Sequence, residues 1–474
     1  MPSTALRLAV APATGPLADA LAAIPATLGI DRVYPAAALA EAETAAAHPV
    51  LPSIDETDVP FVTIDPVGSL DLDQALYLER SGDGYRVRYA IADVPSFVAA
   101  SGALDAETRK RGQTVYPPDG VIPLHPLVLS NGAASLLPGQ VRGAFIWDFA
   151  LDAGGRVVST ALRRARVRSI AKLDYVGVQA AIDSGTADAN LALLREIGLK
   201  RIALELERGA ANLTLPEAEV TEVDGRYRLV RRQPQPSEDW NAQLSLMTGM
   251  AAAELMIGAK VGILRTMPAP EQWEFDRFRK QTIALGRPWP EGQAYGAYLR
   301  ELDTTDARQL AIMHAAGTLF RGAGYTAFDG SVPVGLVQAA VGASYTHATA
   351  PLRRLVDRFV LVVCEAIASG ADIPPWARDA LPELPPIMQH SNGLTSQFEH
   401  RAVDTVEAAL LSTRVGEVFD ATVISLSKTG GSIQITEPAV TAHCNGALVD
   451  GNVIRAKLVQ ADIPTAQVLF EAVG

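Results

Sequence analysis

The segment Thr63–Leu78, TIDPVGSLDLDQALYL, sets three aspartates, Asp65, Asp71 and Asp73, within nine residues and among leucines. Carboxylates that close repel one another and resist burial, so the segment is either a solvated acidic turn or a cation site. In an extended strand, residues two apart share a face. Asp71 and Asp73 are therefore expected to project together while Leu70 and Leu72 pack on the other side. The turn PVGS can fold Asp65, at the end of the preceding strand, back toward that pair. An oxygen-only donor set favours magnesium or manganese over zinc or copper. Spacing alone leaves the turn and the cation site equally open.

The rest of the chain narrows the chemistry by what it lacks. None of the seven histidines shows HxxxH or HxH spacing, and no GK[ST] phosphate loop or GxSxG elbow occurs. Cys364 and Cys444 lie eighty positions apart, neither a disulfide framework nor a zinc spacing, which suits a reducing cytoplasm. The N-terminus is a poor signal peptide, and the apolar stretch LSLMTGMAAAELMIGAKVGIL is interrupted by Glu254 and Lys260, so it reads as a buried helix and no membrane is expected. A net charge of -12 argues against a phosphate-rich partner. Arginines are nonetheless concentrated in ALRRARVRSIAK, RYRLVRR and PLRRLVDR. Each run alone reads as a solvated face; three on an acidic chain suggest localised positive potential.

The elements that must position these residues follow from periodicity. At 474 residues the chain exceeds one ordinary core. Residues 1–52 are alanine-rich with helical spacing in PLADALAAI and PAAALAEAETAAA, a small helical domain. Alternation predicts strands at VPFVTID, DQALYLE and, after the turn RSGDG, YRVRYAIADV. A helical middle follows: ANLALLREIGLKRIALELERG, WNAQLSLMTGMAAAELMI, TDARQLAIMHAAGTLF, LRRLVDRFVLVVCEAIA and LTSQFEHRAVDTVEAALLSTR. The proline-rich DIPPWARDALPELPPIM reads as a loop. From Gly416, short alternating strands suit a small OB-type barrel.

Several motifs, in order, resemble the ribonuclease II / ribonuclease R family, which shares the RNB catalytic domain. TIDPVGSLDLDQA is similar to that family's TIDP…DxDDA segment. YAIADVPSFV resembles its HIADVS strand, with Ala90 where histidine is usual. RGQTVYPPDGVIPLHPLVLSNGAASLLPG and YTHATAPLRRLVDR continue the match, and FEHRAVDTVEAAL resembles the acidic helix before the terminal barrel. The resemblance covers the chain from about Ile54 to its end.

It implies an α+β multidomain fold: the N-terminal helical domain (1–52), an RNB catalytic domain of mixed sheet and helix (53–413) and a C-terminal OB-type RNA-binding barrel (414–474). The helical domain, for which a helix-turn-helix arrangement is one form, would replace the family's cold-shock barrels. Position by position, Asp65, Asp71 and Asp73 fall on the first three acidic positions of the metal cluster. Gln74 stands at the fourth, where an amide oxygen can ligate but adds no charge. Arg353 falls on the catalytic arginine, with Arg354 beside it. Tyr116 matches an aromatic that clamps the terminal base, Tyr175 a tyrosine lining the channel, and Glu399 a glutamate near the 3′-terminal ribose. Leu244 and Ser245 stand where the family has paired glutamates, so ribose contacts would shift, with Asn241 or Gln243 available. The implied activity is processive 3′→5′ exoribonuclease hydrolysis of RNA, entering by its 3′ end, to nucleoside 5′-monophosphates with Mg2+ or Mn2+, by a cytoplasmic monomer. The alternative is a catalytically weakened RNA-binding protein, and a third reading is a metal-dependent endonuclease or phosphatase.

Overall fold

The computed structural model describes residues 6–8, 15–117, 120–211, 217–223, 226–317, 319–435, 437–438 and 440–473. Pro118 and Asp119 of the TVYPPD motif, and the side chains of Arg226, Arg228 and Arg231 in the RYRLVRR run, lie outside the described residues.

The scaffold of the acidic segment is a seven-stranded sheet. Its order is Ile54–Asp55, Val157–Arg168, Val141–Leu151, Gly84–Ala92, Gln74–Ser81, Val62–Asp65 and Ala171–Asp174. The central strands form antiparallel hairpins, and the turn after Ser81 sets their register by pairing Ser81 with Gly84 and Leu76 with Tyr89. The two outermost strands pair in parallel, which puts Asp65 level with Asp174. Alternation along each strand divides the side chains between two cores. Val87, Tyr89 and Ile91 face Phe145, Trp147 and Phe149 and the helices Pro236–Ala259 and Leu355–Ser369. Ala90, Ala92, Ala144 and Ala165 face the other way, against Leu72, Leu104 and Leu352.

The expected strand through Asp71 and Asp73 departs from the sheet. Residues 69–73 are irregular, and the strand begins only at Gln74. The Leu72 N–H donates to Ser135 Oγ, which in turn donates to the Leu70 carbonyl, and the Leu136 N–H donates to the Leu72 carbonyl. With its backbone paired to the 135–136 loop, the segment loses the two-residue alternation. Leu72 and Asp73 are buried in succession, and Leu70 is left 47% exposed, not packed as alternation required.

The helical middle forms where periodicity placed it, with helices Ala189–Glu207, Pro236–Ala259, Ala307–Gly317 and Leu355–Ser369. The proline-rich stretch is not a loop. It folds as the helix Pro375–Ala380, a turn of 3-10 helix and the long helix Leu384–Leu411. Its prolines sit at helix first turns, where the missing N–H has no intrahelical partner to lose.

The barrel is closed and five-stranded, in the order Val418–Ser427, Gly430–Ile435, Val440–Asn445, Gln467–Val473, Val453–Asp462. Phe419 and Phe470 meet edge to face inside it. Phe398 and Val406 of the long helix join the same buried cluster. The N-terminal helices do not form a module around a core of their own. Leu17, Leu21 and Ile24 of helix Pro16–Thr27 belong to the cluster of the long helix and barrel, whereas Ala38 and Ala42 of helix Ala36–Ala47 belong to the alanine-lined core of the sheet. Alanine side chains bury too little area to hold two helices together, so each helix takes its apolar cover from a different neighbour.

Candidate active site

The turn Thr349–Arg354 is the hub around which the candidate residues assemble. The Leu352 N–H donates to Asp73 Oδ1 at 2.7 Å, and the Leu352 carbonyl bonds His125 Nδ1 at 3.0 Å. The Thr114 N–H donates to the Arg353 carbonyl, and the Leu355 N–H to that of Gly112. Three motifs far apart in the chain are thus tied together: DLDQ to TAPLRR through the Asp73 carboxylate, and RGQTVY to TAPLRR through main-chain bonds. The helix Pro236–Ala259 reaches the same region because Gly249 has no Cβ to collide with the Tyr345 ring. The Thr346 N–H donates to the Gly249 carbonyl.

Asp73 is 4% exposed. Burial pushes its carboxyl well above the ordinary range, opposed by the Arg353 guanidinium and the Leu352 N–H and reinforced by Asp71. Arg353 Nε lies 3.7 Å from Asp73 Oδ2, and its side chain is 46% exposed. Asp65 ends its strand partly buried, and burial raises it to about 6, with Arg353 opposing and Asp71 reinforcing. Asp71 accepts a hydrogen bond from the Tyr116 hydroxyl at 3.2 Å. Burial raises the Tyr116 phenol as well, and Asp71 and Asp73 add to that rise. Tyr175 begins the helix Tyr175–Asp183, whose N-cap Asp174 accepts the Gly177 N–H. Its hydroxyl, pushed up to about 12 by burial and then by Asp65, accepts from Asn241 Nδ2 at 3.1 Å.

Asp65, Asp71, Asp73, Tyr116, Tyr175 and Arg353 therefore share one electrostatic neighbourhood. Three expectations are met differently, those for Gln74, Arg354 and Gln243. Gln74, expected as a fourth ligand, has both amide atoms engaged: Nε2 donates to the Thr349 carbonyl at 2.5 Å, and Oε1 accepts from the Tyr89 hydroxyl at 3.0 Å. Arg354 holds Asp357 through two bonds of 2.9 Å at the start of helix Leu355–Ser369. Gln243 points away from the cluster and donates to buried Glu205. Glu399 is half-buried on the long helix, one turn beyond Thr395, whose hydroxyl accepts from Gln113 Nε2 at 2.7 Å.

The donor chemistry suits a hard divalent cation: oxygen ligands only, with the charged forms of Asp65 and Asp73 disfavoured by burial until a cation neutralises them. Among the described residues, however, no three His, Cys, Asp or Glu side chains converge as a metal cage. Asp71 and Asp73 instead pair with Tyr116, Arg353 and Leu352.

Sequence reasoning missed Tyr89, Thr349 and Ser135. Tyr89 was accessible from the hairpin register, because it pairs with Leu76 and so lies diagonal to Gln74 on one face. Thr349 and Ser135 act through long-range bonds that no local pattern announces.

A sequence profile of the RNB domain matches residues 54–369. The chain belongs to the RNB family. A second profile, of the RNase II-type exonuclease C-terminal S1 domain, covers residues 417–473, the closed barrel. In this RNB chain the long helix Leu384–Leu411 bridges the two. Ribonuclease R of Escherichia coli K12 is 29% identical over 326 residues, 64% of this chain and 39% of that protein. The chain thus matches well under half the length of that curated relative. The apo structure of Mycoplasma genitalium RNase R superposes with a TM-score of 0.83 at 19% identity, covering 97% of this chain and 78% of that one. The same Mycoplasma protein has been solved with ribose-methylated single-stranded RNA and with double-stranded RNA. Yeast Ssd1, described as a pseudonuclease, shares the fold with a TM-score of 0.67 at 18% identity, over 86% of this chain and 53% of that one.

Proposed function

We propose that this RNB-family chain is a processive 3′→5′ exoribonuclease that releases nucleoside 5′-monophosphates. The observation that carries the reading is the seating of Arg353 beside buried Asp73, in a turn whose Leu352 N–H donates to the Asp73 carboxylate and whose backbone is bonded to Gly112 and Thr114. Asp65, Asp71 and Asp73 would hold a divalent cation, magnesium or manganese. When bound, it lowers the pKa of an attacking water and stabilises a leaving oxygen. Arg353 neutralises charge growing on the phosphoryl oxygens of the scissile group. Tyr116, half-exposed beside Asp71, offers its ring to the terminal base, a sequence-tolerant contact. Tyr175 and Asn241 present a hydrogen-bonded pair beside Asp65, suited to a ribose hydroxyl. Glu399 lines the approach from the long helix, and the S1-type barrel holds incoming strand. We propose that the enzyme works in the cytoplasm as a monomer; no described helix is long and apolar enough to cross a membrane.

A second reading, an RNA-binding protein without catalysis, is favoured by two observations: the fourth acidic position is the amide Gln74, and a pseudonuclease shares the fold. One experiment separates the two. Single-stranded RNA labelled at its 5′ end is incubated with magnesium and the protein, beside Asp73→Asn. Shortening from the 3′ end that the substitution abolishes supports hydrolysis; intact RNA with a mobility shift supports binding alone; internal cuts overturn the exonuclease reading.

A further inference from the structure

Gln74 is held by two partners of opposite kind. Tyr89 is fully buried, so its hydroxyl must find an acceptor within the protein, and Gln74 Oε1 supplies it. The Thr349 carbonyl needs a donor, and Gln74 Nε2 supplies that. An amide satisfies both at once, which an ionised carboxylate cannot. An ionised carboxylate accepts but cannot donate, and would set two acceptor oxygens against each other across the 2.5 Å separation. Thr349 is gripped a second time through its side chain, because Oγ1 lies 2.7 Å from Ser245 Oγ. Gln74 and Ser245 are two positions at which this chain departs from the acidic pattern it resembles, and they meet on one residue. Thr349 opens the turn that places Leu352 on Asp73 and carries Arg353. The next residue along, Ala350, donates its N–H to buried Asp357.

We infer that Gln74 and Ser245 are a coupled pair of positioning residues, clamping Thr349 from two sides so that Arg353 is held beside Asp73. The neutral amide at position 74 is therefore a requirement of this turn, not a weakened metal ligand. The clamp rests on the hydrolytic reading only for its effect on turnover; its bonds are independent of it.

The test is a double-mutant cycle of Gln74→Glu, Ser245→Ala and the pair, read by kcat and KM on labelled single-stranded RNA and by thermal unfolding. Each single change is expected to lower kcat about tenfold, the scale of one lost buried hydrogen bond, with KM moving less than about twofold. The pair should fall no further than the worse single variant. Ser245→Thr, which returns the hydroxyl, should recover the kcat lost in Ser245→Ala. Independent multiplication of the two losses, a change confined to KM, or a higher kcat in Gln74→Glu overturns the clamp. If the unaltered protein leaves RNA intact, the hydrolytic reading fails, and the clamp stands or falls on whether the cycle in unfolding temperature is coupled or additive.

Discussion

Arg353 Nε stands 3.7 Å from Asp73 Oδ2, while the residue before the arginine donates its main-chain N–H to the other oxygen of the same carboxylate at 2.7 Å. One buried carboxylate thus fixes both the backbone and the charge of the turn opposite it. The guanidinium remains nearly half exposed, oriented by the turn yet open to an incoming anion.

That arrangement makes Arg353 and Asp73 separable from the fold. Arg353→Ala should lower kcat by about 10²–10³, the range for losing one transition-state charge contact, with a small effect on KM. Asp73→Asn keeps an oxygen for the Leu352 N–H, so it should abolish hydrolysis while leaving the unfolding temperature close to that of the unaltered protein. Quantified gels of 5′-labelled RNA and a thermal melt check both.

Removal of divalent cations with a chelator should stop hydrolysis, and magnesium or manganese should restore it. Asp65→Asn and Asp71→Asn should each raise the magnesium concentration needed for half-maximal rate, because each removes one negative oxygen donor. Restoration by neither metal would show that the acidic segment serves another purpose.

At Tyr116 the ring and the hydroxyl can be tested apart. Tyr116→Phe loses the bond to Asp71 but keeps the stacking face. Tyr116→Ala loses both, and should raise KM by about 5–150-fold, the equivalent of 1–3 kcal/mol of base stacking. Equal KM values for the two variants would leave the ring without a role in binding.

The junction of long helix and barrel carries its own pH dependence. Burial raises Glu407 to about 8, eased by the Thr441 N–H and reinforced by Asp404. The folded state therefore binds this proton more tightly than the unfolded chain. The stability it contributes is full below the ordinary glutamate range and is lost as pH rises through about 8. Unfolding temperature should accordingly fall as pH rises from the ordinary glutamate value of 4.5 to about 8, and Glu407→Gln should flatten the fall. An unchanged slope in the variant would assign the pH dependence to other groups.

Much of this was legible before folding. Strand alternation and the SGDG turn defined the hairpin that carries Gln74 and Tyr89, and helical spacing located the helices behind the sheet. The proline-rich stretch misled because proline at a helix's first turn looks, in sequence, like proline in a loop. Asp71 and Asp73 share a neighbourhood as expected, but not through strand alternation, since the backbone there is bonded to Ser135 and Leu136.

By itself the sequence determined which residue types were available, the local periods of helix and strand, and the family to which the ordered motifs belong. Those depend on interactions a few residues apart, or on the motifs' order along the chain. Tertiary structure alone decided that Gln74 reaches Thr349, that Arg354 is committed to Asp357 and that Arg353 is left open beside Asp73. Each of those outcomes is a choice of hydrogen-bond partner. Gln74 and Asp73 find theirs in a turn some 275 residues away, and which donor meets which acceptor is settled only when the cores on both faces of the sheet close.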